Sequence, residues 1–269
     1  MHPRCRRPRT PVITAAILIA AASLHASAAG PAKPAAIVEG YPAFDEPLIR
    51  FALERQHAAV ESFERVWLEP AEYASYGLVV IVGDLPRGKV EPAAYSAEDI
   101  PHVRRFLENG GTLMLCRGNA AVFGSPEGRR FLESVTGSPP PDRQPVLKVL
   151  KPDHPWLRGL ADPAAPSWLD SQGAVMLRAS KGETLIGTKA GAAMLYRAPV
   201  GKGQLIYLGW DISRDLPHGR SNATTAEHEA AFEEQMSILT AIMAELYPAG
   251  PASRGDAANV LRRPPYSLD

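Results

Sequence analysis

The sequence predicts an α/β domain whose mostly parallel sheet carries an antiparallel hairpin extension towards its C-terminal end. Leu78–Val82 (LVVIV) is a continuous apolar run rich in β-branched residues, which is typical of a strand buried on both faces of a parallel sheet. Thr112–Cys116 (TLMLC) is a second such run, and a helical pattern lies between the two. We therefore expect a strand, a helix and a second strand over this stretch, joined by a right-handed crossover.

The hairpin extension is predicted from Val200–Gly203, where two glycines supply the positive φ that a tight turn demands. The runs Ala192–Ala198 and Gln204–Leu208 flank this turn and are its two strands. A change of organisation is expected earlier, at the proline run Pro139–Pro141. Three further strands are predicted after that run, at Val146–Leu150, Val175–Ala179 and Thr184–Gly187.

The other elements follow from strand runs and helix start signals. A first strand is predicted at Ile37–Tyr41, and a helix begins at Asp45, because acidic residues followed by proline suit a first turn. Apolar residues at near-helical spacing continue to Phe63, and a second strand is predicted at Val66–Leu68. Two further helices are predicted, one between the Ser96/Asp99 capping box and Gly110 and one over Gly128–Val135. A last helix is predicted after the Thr224/Glu227 capping box. Its apolar residues form a core stripe of Phe232, Met236, Leu239, Met243 and Leu246.

The N-terminus has the pattern of a secretory signal peptide. Four arginines within the first nine residues precede the uncharged run Val12–Leu24, which is shorter than the roughly 20 apolar residues of a membrane span. Ala26, Ser27 and Ala28 then form a small-x-small cleavage pattern, so we expect cleavage near Ala28 and export to the periplasm or beyond. Retention of this run as an uncleaved anchor is the alternative. The chain thus divides into a leader (1–28), a linker (29–36), the α/β domain (37–248) and a loose tail (249–269).

The charge balance and the positions of cysteine and histidine limit which partners, disulfides and metal sites are expected. Acidic and basic residues balance at 29 each, and no basic cluster follows the leader, so neither nucleic acid nor an anionic membrane is expected as a partner. Cys5 is removed with the leader, which leaves Cys116 without a disulfide partner inside the mature chain. His154 has no second ligand at metal spacing, and we expect neither a metal nor another cofactor.

Three segments together resemble the class I glutamine amidotransferase-like superfamily, in the divergent branch of ThuA-like (trehalose utilisation) proteins. They are LVVIVGDLP at Leu78–Pro86, FLENGGTLMLCRGN at Phe106–Asn119 and GKGQLIYLGWD at Gly201–Asp211, and HPWLRGL at His154–Leu160 is similar to a segment of the same branch. The resemblance covers roughly residues 37–247 and implies a flavodoxin-like doubly wound sheet. It also implies that the loop after the first of these strands supplies oxyanion donors.

The resemblance makes Cys116 the candidate nucleophile. Gly118 stands two positions after it, as a nucleophile elbow requires, but Met114 stands two positions before it, where the pattern has glycine. The catalytic branch also places a histidine after the late strand, whereas residues 208–212 here read LGWDI. The triad is therefore incomplete, and the alternative interpretation of Cys116 is a small core residue.

Ligands of open α/β sheets bind beyond the carboxyl ends of the strands. The predicted crevice there consists of Gly83, Asp84, Cys116, Arg117, Gly118, Asn119, Trp210 and Asp211. Arg117 suits either an anion or a surface ion pair, and Trp210 suits either stacking on a sugar face or a place in the core. The leading hypothesis is an exported, non-catalytic domain that binds a small ligand, such as a carbohydrate, or a partner protein. The alternatives are a hydrolase of carbohydrates or amides that uses Cys116 or the carboxylates Asp84 and Asp211, and a structural subunit of an envelope assembly.

Overall fold

The structure is a computed structural model, which describes residues 33–39, 45–65, 68–82, 95–117, 119–138, 147–162, 166, 168, 175–210 and 225–248. All of these belong to one unit, Lys33–Asp269. The predicted leader and tail, the proline run 139–141 and Thr224 lie outside the described residues. None of the helices in the described ranges is both long and apolar enough to cross a membrane.

One half of the sheet is parallel. Its strands are β1 (Ala35–Glu39), β2 (Val60–Phe63), β3 (Leu78–Val82), β4 (Thr112–Cys116) and β9 (Gly203–Leu208). They lie in the order β2-β1-β3-β4-β9, and every neighbouring pair is parallel. The carboxyl ends of β1, β3, β4 and β9 therefore meet at one edge, where the predicted crevice should lie.

The other half is antiparallel and extends the sheet beyond β9. It comprises β5 (Lys148–Val149), β6 (Leu177–Arg178), β7 (Glu183–Gly187) and β8 (Ala192–Val200). The order continues β9-β8-β7-β5, with β6 paired to β8. The β8–β9 hairpin turns at Gly201, whose φ of 61° is in the left-handed region. The predicted α/β fold, a mostly parallel flavodoxin-like sheet with an antiparallel C-terminal extension, is confirmed.

Helices cover both faces of the sheet. The α-helices in the described ranges are α1 (Asp45–Glu54), α2 (Ile100–Glu108), α3 (Pro126–Thr136) and α4 (Thr225–Leu246), and 3-10 helices span Glu72–Ser75, Asn119–Phe123 and Pro155–Leu157. Side chains alternate along β4: Met114 and Cys116 pack in the core beneath α1 and α4, whereas Leu113 and Leu115 pack beneath α2 and α3. The side chains of β4 thus pack alternately into one or the other of two cores, and Cys116 at its end packs beneath α1 and α4.

The predicted capping box before α2 is confirmed. The Ser96 backbone N–H donates to Asp99 Oδ2 at 2.7 Å, and the Asp99 N–H donates in return to Ser96 Oγ at 3.3 Å. These two bonds satisfy N–H groups at the start of a helix, which have no partner within the helix itself. The helix they introduce carries the chain from β3 to β4.

The region between α1 and β3 differs from the prediction. The helix that was expected to continue towards Phe63 ends at Glu54, and the chain forms a strand at Val60–Phe63 instead. The cause is His57, whose φ of 57° reverses the chain shortly after the helix. Val60 then pairs in parallel with Ala35. Two residues of the strand predicted at Val66–Leu68, Val66 and Trp67, lie outside the described residues.

Candidate functional site

The carboxyl ends of β4 and β9 form the centre of the candidate site. Cys116 pairs with Leu208 across the two strands, and the Arg117 N–H donates to the Leu208 carbonyl at 2.6 Å. Arg117 has a φ of 41°, a left-handed conformation that among the described non-glycine residues only His57 shares. The strained residue at the tip of β4 is therefore Arg117, one position later than the elbow pattern predicts.

Cys116 is enclosed in the core beneath α1 and α4. It is 1% exposed, and burial raises the pKa of its thiol well above the usual range, with a further contribution from the nearby Asp45 carboxylate. The thiol is therefore protonated at neutral pH, whereas the nucleophilic form of cysteine is the thiolate. No histidine of the described residues hydrogen-bonds to it, and His218 lies outside them. The assignment of Cys116 as a nucleophile stays a prediction, and its environment weighs against it.

Acidic groups accompany Arg117 at this edge of the sheet. Glu39 ends β1, and Asp45, which is 2% exposed, begins α1. A carboxylate suits the first turn of a helix because the N-terminal end of the helix dipole is positive. Arginine and acidic residues thus both belong to elements that begin or end at this edge.

Trp210 lies two residues beyond β9 and is 4% exposed. Its ring packs on that of Trp168, with the ring centroids 5.0 Å apart and the planes inclined at 50°. The expectation that Trp210 stacks on a sugar face is not supported, because the ring is enclosed and packs against another indole. Its Nε1–H is buried and has no hydrogen-bond partner among the described residues, a situation that costs about 1–3 kcal/mol.

The remaining crevice residues are only partly accounted for. Asn119 begins the 3-10 helix Asn119–Phe123 just after the β4 turn, and its side chain is not among those described. Gly83, Asp84, Gly118 and Asp211 lie outside the described residues. The structure thus brings Cys116, Arg117 and Trp210 to one edge of the sheet. Nowhere in the described ranges do three His, Cys, Asp or Glu side chains group so as to hold a metal ion.

The HPWLRGL segment forms a cluster that the sequence did not predict. His154 Nδ1 accepts a hydrogen bond from the Trp156 N–H at 3.2 Å, and the two rings meet edge to face at 5.0 Å. Trp156 Nε1 donates to Glu245 of α4 at 2.7 Å, while the Arg197 guanidinium lies 5.2 Å from the Trp156 ring centroid. Arg197 also donates to Glu183 at 2.8 Å. This Trp156 cluster, comprising these five residues, fastens the segment to α4 and to the antiparallel strands.

The Trp156 cluster predicts a dependence of stability on pH. Burial and the Arg197 charge lower the pKa of His154 below its ordinary value of 6.5, so the folded protein favours the neutral ring. The corresponding stabilisation is complete above pH 6.5 and is lost as the pH falls through the folded-state pKa. Urea unfolding between pH 7.5 and 5 should show this loss, and His154→Asn, which keeps a capping side chain that does not titrate, should show a smaller one. Identical pH profiles for the two proteins would contradict the assignment.

No protein-family model matches the chain, and no curated protein matches it in sequence. Several solved structures are similar. A cytoplasmic protein of Salmonella typhimurium LT2 shares 10% identity over 80% of this chain and 99% of its own, with a TM-score of 0.48. A ThuA-like protein of Parabacteroides merdae shares 13% identity over 81% of this chain and 90% of its own, with a TM-score of 0.43.

A β-galactosidase of Bacillus circulans shares 18% identity over 82% of this chain but only 32% of its own, with a TM-score of 0.45. Structures named ThuA-like are therefore among those similar to this chain, as the sequence motifs predict. Likeness at these identities concerns the course of the backbone and not activity.

Proposed function

We propose that the protein is a non-catalytic binding domain that takes a carbohydrate ligand at the carboxyl ends of β4 and β9. The observation that carries this proposal is the turn after β4, where an arginine occupies the strained position and the cysteine before it is enclosed. Non-glycine residues in the left-handed region cost of order 1 kcal/mol and cluster at ligand sites. A guanidinium has five N–H donors and no nucleophilic character, so this turn is suited to binding.

A carbohydrate suits the mixture of groups at this edge. Sugar hydroxyls both donate and accept hydrogen bonds, and residues of both kinds, Arg117 on the one hand and Glu39 and Asp45 on the other, belong to elements that begin or end at this edge. In the sequence, Asp84 and Asp211 follow β3 and β9 and would add acceptors. The resemblance to the ThuA-like branch supports the same ligand class. We further propose, from the leader sequence, that the domain binds this ligand outside the cytoplasm.

The proposal is tested by ligand-dependent thermal shift and calorimetry on residues 29–269. The probes are the methyl glycosides of glucose, galactose and mannose, together with glucuronate and galacturonate. Arg117→Gly removes the guanidinium while suiting the positive φ, so folding should be preserved. Arg105→Ala, a change on the exposed side of α2, is the matched control.

At least one sugar should raise the melting temperature of the wild-type protein and of Arg105→Ala, and the shift should be lost in Arg117→Gly. Binding that is unaffected by Arg117→Gly would contradict the site, and no shift with any sugar would contradict the carbohydrate class. Hydrolysis of nitrophenyl glycosides that disappears in Cys116→Ala would favour the hydrolase alternative over a non-catalytic domain.

A further inference from the structure

A groove of about 500 Å³ lies between α2 and α3, on the face of the sheet opposite to α1 and α4. Ile100 and Phe131 form its buried floor. Three arginines line it, Arg104 and Arg105 from α2 and Arg130 from α3. In the sequence these arginines belong to two separate segments, and the packing of the two helices brings them to one groove.

The guanidinium groups on α2 are available to a partner. Neither Arg104 nor Arg105 forms a hydrogen bond or an ion pair with any of the described residues. Arg104 lies over the Phe131 ring, with its Cζ 5.1 Å from the ring centroid. This cation–π contact positions the guanidinium at the groove and uses none of its five N–H donors.

The third arginine is paired but still accessible. Arg130 forms an ion pair with Glu127, three residues earlier in α3, and its side chain is 70% exposed. An exposed pair of this kind contributes little to stability, so an incoming carboxylate can compete for the guanidinium. Glu108 is the other acidic residue of the groove. Of the described residues, three cations and two anions line the groove, which leaves an excess of positive charge.

We propose that this groove binds an acidic segment of a partner protein, whose carboxylates pair with Arg104 and Arg105. Clusters of arginine recognise acidic motifs because the planar guanidinium can donate two parallel hydrogen bonds to one carboxylate. The backbone N–H groups of such a segment are donors for Glu108 and Glu127. The inference is independent of the proposed sugar site, which lies at the carboxyl ends of the strands.

The two glutamates favour a peptide over other polyanions. A nucleic acid carries phosphates along its whole backbone, so some of them would face Glu108 or Glu127. An anionic membrane presents a broad surface that does not enter a groove between two helices. A peptide can place carboxylates opposite the arginines alone and present uncharged groups to the rest of the groove.

Fluorescence anisotropy with labelled decaglutamate tests the inference at an ionic strength of about 0.1 M, where remote charges are largely screened. Arg104→Gln/Arg105→Gln changes two exposed positions, so the fold should be retained, and circular dichroism checks this. Loss of two charge-assisted pairs should weaken binding at least about tenfold. The matched control is Arg158→Gln/Lys189→Gln, which removes the same charge from exposed positions outside the groove and should change the affinity less than about twofold.

The expected result is that decaglutamate binds, that uncharged decaglutamine does not, and that only the α2 double variant loses binding. Absence of decaglutamate binding, or an equal loss in the two double variants, would overturn the inference. So would tighter binding of decathymidylate or of phosphatidylglycerol vesicles through the same two arginines, because the groove would then serve a nucleic acid or a membrane. No sugar enters these measurements, so their failure leaves the proposed function standing.

Discussion

Gly203→Ala should lower the free energy of unfolding by about 3 kcal/mol or more. A Cβ at this position would lie 2.0 Å from the Gly111 carbonyl oxygen and 2.5 Å from that of Leu107. Both are backbone atoms, so the strand itself would have to move. Gly203 begins β9 beside β4, and the same strand pairing sets Cys116 opposite Leu208. The substitution should therefore also disturb the candidate site.

Urea unfolding monitored by circular dichroism measures this effect, and Gly110→Ala is its control. At Gly110 the nearest atom to an added Cβ is 3.8 Å away, so only the φ of 103° opposes a side chain. A loss of about 1 kcal/mol is expected there. Equal losses in the two variants would show that the close approach of β9 to Gly111 is not as described.

Trp156→Ala should cost about 3–5 kcal/mol, the usual range for truncating a buried aromatic residue. Trp156 is 1% exposed, and its removal leaves a cavity and takes the indole donor from Glu245. Trp156→Phe fills most of the cavity but lacks the N–H, so its loss should be smaller, about 1–2 kcal/mol. Thermal or urea unfolding of both variants provides the comparison. An alanine variant as stable as the phenylalanine variant would contradict tight packing in the Trp156 cluster.

Local patterns predicted the parallel half of the fold well where they were unambiguous. Leu78–Val82 and Thr112–Cys116 are strands as expected, because apolar runs of this length cannot be left exposed. The prediction fails at Val60–Phe63 (VESF), a strand whose apolar residues continue the helical spacing of α1. The left-handed conformation of His57 decides that region, and non-glycine residues adopt it too seldom for the sequence to indicate it.

The candidate site was predictable in its location but not in its detail. Strand ends place Arg117 and Trp210 at one edge, as the sequence implies. Which residue takes the positive φ depends on how β4 leaves the sheet, and it is Arg117 and not Cys116. The contact between Trp168 and Trp210, like that between Trp156 and Glu245, joins residues far apart in the chain, and no local pattern reveals such contacts.

The reactivity of Cys116 distinguishes a β4 turn that presents an arginine for binding beside an inert thiol from a turn that presents a nucleophile. In residues 29–269 Cys116 is the only cysteine, so alkylation by iodoacetamide reports on it alone. We expect alkylation of the folded protein to be far slower than that of the urea-unfolded chain throughout pH 6–9, because the thiol is buried and its pKa is raised. Rapid alkylation of the folded protein at neutral pH, rising with a midpoint below that of an ordinary thiol, would contradict an inert Cys116.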